Sequence, residues 1–331
     1  MAKLSIGKIR GLQQVANEGG TFTVLAMDHR DSFKKMINTN TADAVSYEET
    51  VARKVEMCSI LSPYASAVLL DPIYGAAQCI QQGALPGNRG LLVSIEESGY
   101  GGGKENRVTR LLNDWGVEKI KRLGASAVKL LVYYRPDLKE LARKQLEVVE
   151  RVALDCQKFD MPLFVEPVSY PVGSELNDPA AFAKHKEEIV LETADNMTAL
   201  PIDVLKAEFP ADMKYNKEKA ALAKLCRALD EISRVPWVLL SAGVDIESFT
   251  AQVEIACAAG ASGFLGGRAI WQEVMPMTDS AKRIEFYRST VVPRMQRLKE
   301  IVRKSGRPWY KKYGNSVAEL TQTSEDWLRK Y

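Results

Sequence analysis

The chain has 331 residues, 46% hydrophobic and 26% charged, with a formal net charge of +3. This is the composition of a soluble globular protein, long enough for one barrel-sized domain or two ordinary ones. The charge is too small to argue for a nucleic-acid partner, and no run approaches the ~18 apolar residues of a membrane helix.

Residues 5–17 read as an opening helix closed by Gly19-Gly20, and 21–28 as a strand running into Asp28-His29-Arg30. Residues 1–10 lack the long apolar segment of a signal peptide, so a cytoplasmic protein is expected. Ser46 and Glu49 form a capping-box pattern that opens a helix reaching Leu61. Strands follow at 66–71 and 91–96, joined by a connection punctuated by Gly83, Pro86, Gly87 and Gly90. The glycine-rich stretch 99–104 is expected to be a mobile rim loop. It is not a P-loop, because Gly103-Lys104 is followed by Glu105.

Next come a helix at 114–123, a strand at 125–133, a helix at 136–156, a strand at 162–166 and a helix at 179–195. A strand at 203–209, a helix at 217–233, a strand at 237–243, a helix at 246–259 and a strand at 263–268 precede two further helical stretches. The basic run between Arg294 and Lys312 reads as a solvated helix face. Strands alternating with helices in this way predict the α/β class: a single (β/α)8 TIM barrel over 1–331, with an N-terminal helix and extra C-terminal helices. A doubly wound sheet fits less well, since no G-x-G-x-x-G follows the first strand.

Five scattered cysteines without a C-x-x-C pair fit reduced thiols. Two histidines, His29 and His185, are too few for a zinc site built from several of them, and no metal or cofactor is expected.

The stretch 203–209 carries the most chemistry. Its alternation turns Val204, Lys206 and Glu208 to one face and Leu205, Ala207 and Phe209 to the other. A lysine facing a barrel interior is costly unless it is paired or gives up its proton, and the neutral amine is a nucleophile. The plainer reading is a snorkelling or structural lysine. Catalytic groups of such barrels sit at the carboxyl ends of strands. Those ends hold Asp28, Asp71, Lys129, Glu166, Lys206 with Glu208, Ser241-Ala-Gly243 and Gly266-Gly-Arg268. Lys129 is expected to repel the charge on Lys206, and Glu166 to shuttle protons. Ser241, Gly243, Gly267 and Arg268 lie where this fold habitually binds phosphate. Lys104, Arg107 and Arg110, beside the glycine-rich stretch, are candidates for a second substrate anion.

Ala26-Met-Asp-His-Arg30, Ala127-Val-Lys-Leu-Leu-Val-Tyr-Tyr134, Phe164-Val-Glu-Pro-Val-Ser-Tyr170, Val204-Leu-Lys-Ala-Glu-Phe-Pro210, Leu240-Ser-Ala-Gly-Val244 and Leu265-Gly-Gly-Arg-Ala269 follow one another along almost the whole chain. As a set they resemble the class I tagatose 1,6-bisphosphate aldolases and the related 6-deoxy-6-sulfofructose 1-phosphate aldolases. The resemblance implies Lys206 as the Schiff-base lysine, Glu166 as proton shuttle, and Asp28 and Lys129 as their partners. It implies a C1-phosphate grip at Ser241, Gly243, Gly267 and Arg268. His29 stands where the tagatose enzymes are expected to have glutamine, among the groups that recognise substrate hydroxyls.

The implied reaction gives dihydroxyacetone phosphate and an aldehyde without a metal. The expected partners are a sugar phosphate and further copies of the chain, with no nucleic acid or membrane. Three cations near the glycine-rich stretch favour a phosphate dianion at C6, hence tagatose or fructose 1,6-bisphosphate, over the sulfonate. A barrel isomerase or epimerase without covalent chemistry, and a sugar-phosphate sensor without turnover, are the rival readings.

Overall fold

In the computed structural model, which describes residues 4–321 and 323–331, eight parallel strands close into a barrel in chain order. The first three residues of the opening stretch lie outside the described residues. Helix α1 (Ile6–Val15) precedes β1 (Phe22–Met27), α2 (Asp31–Ile37), α3 (Tyr47–Leu61), β2 (Ala67–Leu70), α4 (Ala76–Gln81) and β3 (Gly90–Ser94). The middle of the chain forms α5 (Val117–Arg122), β4 (Ala127–Tyr133), α6 (Lys139–Lys158), β5 (Leu163–Val168), α7 (Pro179–Thr198) and β6 (Val204–Ala207). Then come α8 (Lys219–Ile232), β7 (Trp237–Leu240), α9 (Ile246–Ala259), β8 (Gly263–Gly266), α10 (Arg268–Trp271), α11 (Ser280–Phe286), α12 (Val292–Ser305) and α13 (Trp327–Lys330). This is the predicted (β/α)8 barrel with an N-terminal helix and extra C-terminal helices.

The barrel closes between β1 and β8, and one contact in that seam is very tight. Phe22 of β1 pairs with Gly263 of β8, whose φ is +131°, and a Cβ there would lie 1.9 Å from the Phe22 carbonyl oxygen. Only glycine fits at that seam.

The strands divide two cores between their faces. Val68, Val128, Val165, Leu205 and Leu239 face outward into the layer shared with the helices. Val24, Leu69, Leu92, Phe164, Val204 and Leu265 face inward. Ser5 caps α1 by accepting from the Lys8 N–H, and Ile9, Leu12 and Val15 of that helix close the amino-terminal end of the barrel against Phe22 and Val24. A period of two then decides what stands above this apolar floor. Two residues beyond Ala26, Ala127, Phe164 and Val204 come Asp28, Lys129, Glu166 and Lys206.

Some local features differ from the expectation, and one helix cap agrees with it. Helices α2 and α4, of seven and six residues, occupy segments to which the sequence reading assigned no element, because two turns are too short to show a period. Ser46 caps α3 as predicted, accepting from the Glu49 N–H at 3.1 Å. The glycine-rich stretch is a folded arm, since Gly101 and Val108 exchange backbone hydrogen bonds of 2.9 and 3.0 Å and Glu96 bridges to Leu111. The two closing helical stretches are more broken than predicted: a π-helical turn at Tyr287–Val291 joins α11 to α12, and short helical turns follow. Among the described residues no helix is long and apolar enough to cross a membrane.

Candidate active site

The carboxyl ends of the strands enclose a cavity of about 500 Å³. Asp28, His29, Lys129, Glu166, Lys206, Ser241, Gly267 and Arg268 all line it. Lys129 and Lys206 lie inside their strands rather than at the ends, and their four-carbon stems carry the ammonium groups up to the cavity.

At the centre two ammonium groups share one carboxylate. Glu166 Oε1 is 2.8 Å from Lys206 Nζ, and Oε2 is 3.0 Å from Lys129 Nζ. The sequence reading set the two ammoniums directly against each other; the structure puts a carboxylate between them. Lys129 also donates to Asp28 Oδ2 at 2.7 Å and to Glu96 Oε1 at 2.7 Å, so three carboxylates surround its ammonium. Burial works against its charge, yet Asp28, Glu166 and Glu96 outweigh burial and hold its pKa well above the ordinary lysine range. Burial pushes Glu166 upward, but Lys129 and Lys206 prevail and keep it below the usual carboxylate range. Asp28 is likewise held far below its ordinary value by Lys129, against the effect of burial.

Glu96 is the site residue that the strand-end reading passed over. It lines the cavity, its Oε1 faces Lys129, and its Oε2 accepts the Leu131 N–H at 3.1 Å. The signal was present, because Glu96 closes the predicted third strand as Glu166 closes the fifth. Asp71 does not join this group. It pairs at 2.5 Å with Lys54, a fully buried lysine that also donates to the carbonyls of Met27 and His29. Asp71 thus anchors the end of β1 and does not line the cavity.

The four expected phosphate-gripping residues do come together. Ser241 Oγ accepts the Gly267 N–H at 3.2 Å, and a Cβ on Gly243 would stand 3.3 Å from the Arg268 guanidinium carbon. Ala242 and Gly243 both have left-handed backbone, at φ 46° and 72°. For alanine that conformation costs ~1–3 kcal/mol and is characteristic of functional turns.

Lys104 and Arg107 do not line the cavity, although Arg107 packs on Tyr133, which does. Lys104 is exposed, and Arg107 sets its guanidinium 4.5, 5.7 and 4.8 Å from the ring centres of Tyr100, Tyr133 and Tyr170. Arg110 pairs with Glu97 at 2.8 Å. From this arm Glu97, Ser98 and Gly99 reach the cavity.

His29 packs edge-on against Trp271, and its Cε1 would lie 2.9 Å from a Cβ on Gly267, so only glycine leaves it room. Its Nδ1 is buried without a partner and sits 3.9 Å from Asp28 Oδ1. Burial lowers its pKa to about 3; Asp28 opposes this, while Arg268, Lys54 and Lys206 add to it. The imidazole is therefore neutral at physiological pH.

A linkage follows from this. Below about 6.5 an unfolded chain protonates this histidine, whereas the folded protein resists until about 3. Stability should fall on acidification through that window, by up to about 1.4 kcal/mol per pH unit. Urea unfolding at pH 6.5 and pH 5 should show a smaller loss in His29→Gln than in the unaltered protein. Equal losses would place the acid sensitivity elsewhere.

Residues 22–273 match the DeoC/LacD family aldolase. The chain is 32% identical to tagatose 1,6-diphosphate aldolase of Listeria monocytogenes, over 95% of this chain and 97% of that one. It is 33% identical to tagatose 1,6-diphosphate aldolase 2 of Streptococcus mutans, over 93% and 98%. In fold it is similar to an archaeal fructose 1,6-bisphosphate aldolase, with a TM-score of 0.57, 22% identity and coverage of 89% and 98%. The fructose-bisphosphate aldolase of Plasmodium falciparum superposes with a TM-score of 0.68 at 14% identity, covering 92% and 97%. A family match across three quarters of the length, joined to near end-to-end similarity, leads to one conclusion: this chain belongs to the DeoC/LacD family of aldolases.

Proposed function

We propose that this aldolase cleaves a ketose 1,6-bisphosphate, tagatose or fructose, to dihydroxyacetone phosphate and glyceraldehyde 3-phosphate through a Schiff base on Lys206. The observation that carries the reading is the unequal treatment of two lysines in one cavity. Lys129 is bound by three carboxylates and keeps its proton, whereas among the described residues Lys206 pairs only with Glu166 Oε1, at 2.8 Å. Lys206 is thus the amine free to react, and the carboxylate that can take its proton already touches it. The names of the relatives, tagatose 1,6-diphosphate aldolases, support the substrate class.

In this reading Lys206 passes a proton to Glu166 and attacks the C2 carbonyl. Glu166 returns a proton as water leaves, and the iminium forms. The iminium draws in the electrons of the C3–C4 bond while Glu166 takes the proton of the C4 hydroxyl. The aldehyde departs, the enamine is protonated at C3, and water releases dihydroxyacetone phosphate and the free lysine. Lys129, fixed as a cation, keeps Asp28 ionised and returns Glu166 to its carboxylate form between proton transfers. Ser241, Gly267 and Arg268 grip the C1 phosphate, with Gly243 giving Arg268 its clearance.

Borohydride added with dihydroxyacetone phosphate should inactivate the protein irreversibly, and peptide mass analysis should place the adduct on Lys206. An adduct on another lysine, or none from an enzyme that turns over, would overturn the assignment.

A further inference from the structure

Arg30 follows Asp28 and His29 out of β1 and lines the same cavity. It is only 6% exposed, and its Nη1 is buried without a hydrogen-bond partner. Among the described residues it has no ion pair, while every other buried lysine or arginine lies beside a carboxylate. Nor is a carboxylate facing the cavity left over for it. Asp28, Glu96 and Glu166 serve Lys129 and Lys206, Glu97 pairs with Arg110, and Glu208 lies 3.4 Å from Lys186. A guanidinium buried without a counter-charge is costly until an anion completes it.

We propose that Arg30 binds a tetrahedral oxyanion, phosphate or sulfonate, carried on the end of the substrate remote from C1. The proposal rests on the ketose 1-phosphate aldolase reading above, and it assigns the distal anion to the β1 wall instead of the Lys104–Arg107 arm. Arg268 is the other cavity-lining guanidinium without an ion pair among the described residues. Two unmatched guanidiniums in one cavity correspond to a substrate with an anion at each end, and a planar donor fork suits either oxyanion. Ser32, two residues further along, also lines the cavity and supplies a neutral hydroxyl.

The test compares the unaltered enzyme with Arg30→Met and Arg30→Lys in the condensation direction. Each is given dihydroxyacetone phosphate with glyceraldehyde 3-phosphate, with 3-sulfolactaldehyde, or with uncharged glyceraldehyde. In Arg30→Met the KM for the preferred anionic aldehyde should rise roughly tenfold to a hundredfold. The uncharged aldehyde should keep its kcat/KM within about twofold, and Arg30→Lys should recover part of the loss. Whichever anionic aldehyde suffers more identifies the natural group as phosphate or sulfonate.

Equal losses with all three aldehydes would assign Arg30 to the C1 end or to the cavity wall and overturn the proposal. So would no loss with any of them. A lowered melting midpoint in Arg30→Met would count against it as well, because removing an unpaired buried charge should not cost stability. Borohydride trapping with dihydroxyacetone phosphate leaves the distal end empty. Normal trapping beside a failed Arg30 result therefore rejects only this inference, whereas absent trapping rejects the Schiff-base reading itself.

Discussion

Replacing Lys206 with methionine will lower turnover of the preferred ketose bisphosphate by at least about four orders of magnitude in a protein that still folds. The loss is large because no other amine can substitute. Lys129, the nearest candidate, is ion-paired with Asp28, Glu96 and Glu166 and has its pKa raised well above the ordinary range. Folding should survive because Glu166 keeps its second cation, Lys129, at 3.0 Å, and methionine fills much of the lysine stem's volume. The check is steady-state turnover beside a thermal melt. A variant that keeps more than about a hundredth of normal activity would show that the reaction does not pass through Lys206.

Lys129→Met should have the largest effect on stability, a loss of about 3–5 kcal/mol at pH 7. It leaves Asp28, Glu96 and Glu166 crowded together with a single ammonium, Lys206, touching only one of them. The pH dependence distinguishes lost charge from lost packing. In the unaltered protein Asp28 and Glu166 have depressed pKa values. Their contribution is therefore present above the unfolded carboxylate range and is lost only as pH falls through the lower folded values. In the variant the same carboxylates repel, their pKa values rise, and protonation relieves the strain. The stability gap should therefore narrow between pH 7 and pH 4 in urea unfolding. A gap that stays constant would mean that lost packing, not lost charge, explains the effect.

How far the sequence could be read depends on the kind of information each residue carries. Alternation along a strand is local, so Lys206 and Val204 could be placed inside the barrel, and Leu205 and Ala207 outside it, from their own neighbours. Strand ends are local too, which made Asp28 and Glu166 legible, and Glu96 equally so had the third strand been treated alike. Pairing is not local. Nothing near Asp71 indicates that Lys54, on another element, claims it, and nothing near Arg107 indicates that three tyrosines from separate segments surround it. The same limit hid Arg30. Its significance lies in the carboxylate it lacks, and that shows only when all its neighbours are in place.

Lys54 divides the mouth of the barrel into two kinds of wall. Its ammonium is spent on the Met27 carbonyl, the His29 carbonyl and Asp71, which clamps the backbone that presents Asp28, His29 and Arg30. The arm after β3 is held instead by side chains along it, Arg107 among three tyrosines and Thr109 against Tyr133 and Gln145. It bends at Gly99, Gly102 and Gly103, all with positive φ, and closes on itself through the bridge between Gly101 and Val108. An engineer who wants a new aldehyde specificity therefore has a natural division of labour. The arm can be lengthened, shortened or recoloured with charge while the bond-breaking apparatus keeps its alignment. A single change at Lys54, a residue that does not itself line the cavity, would set that alignment adrift.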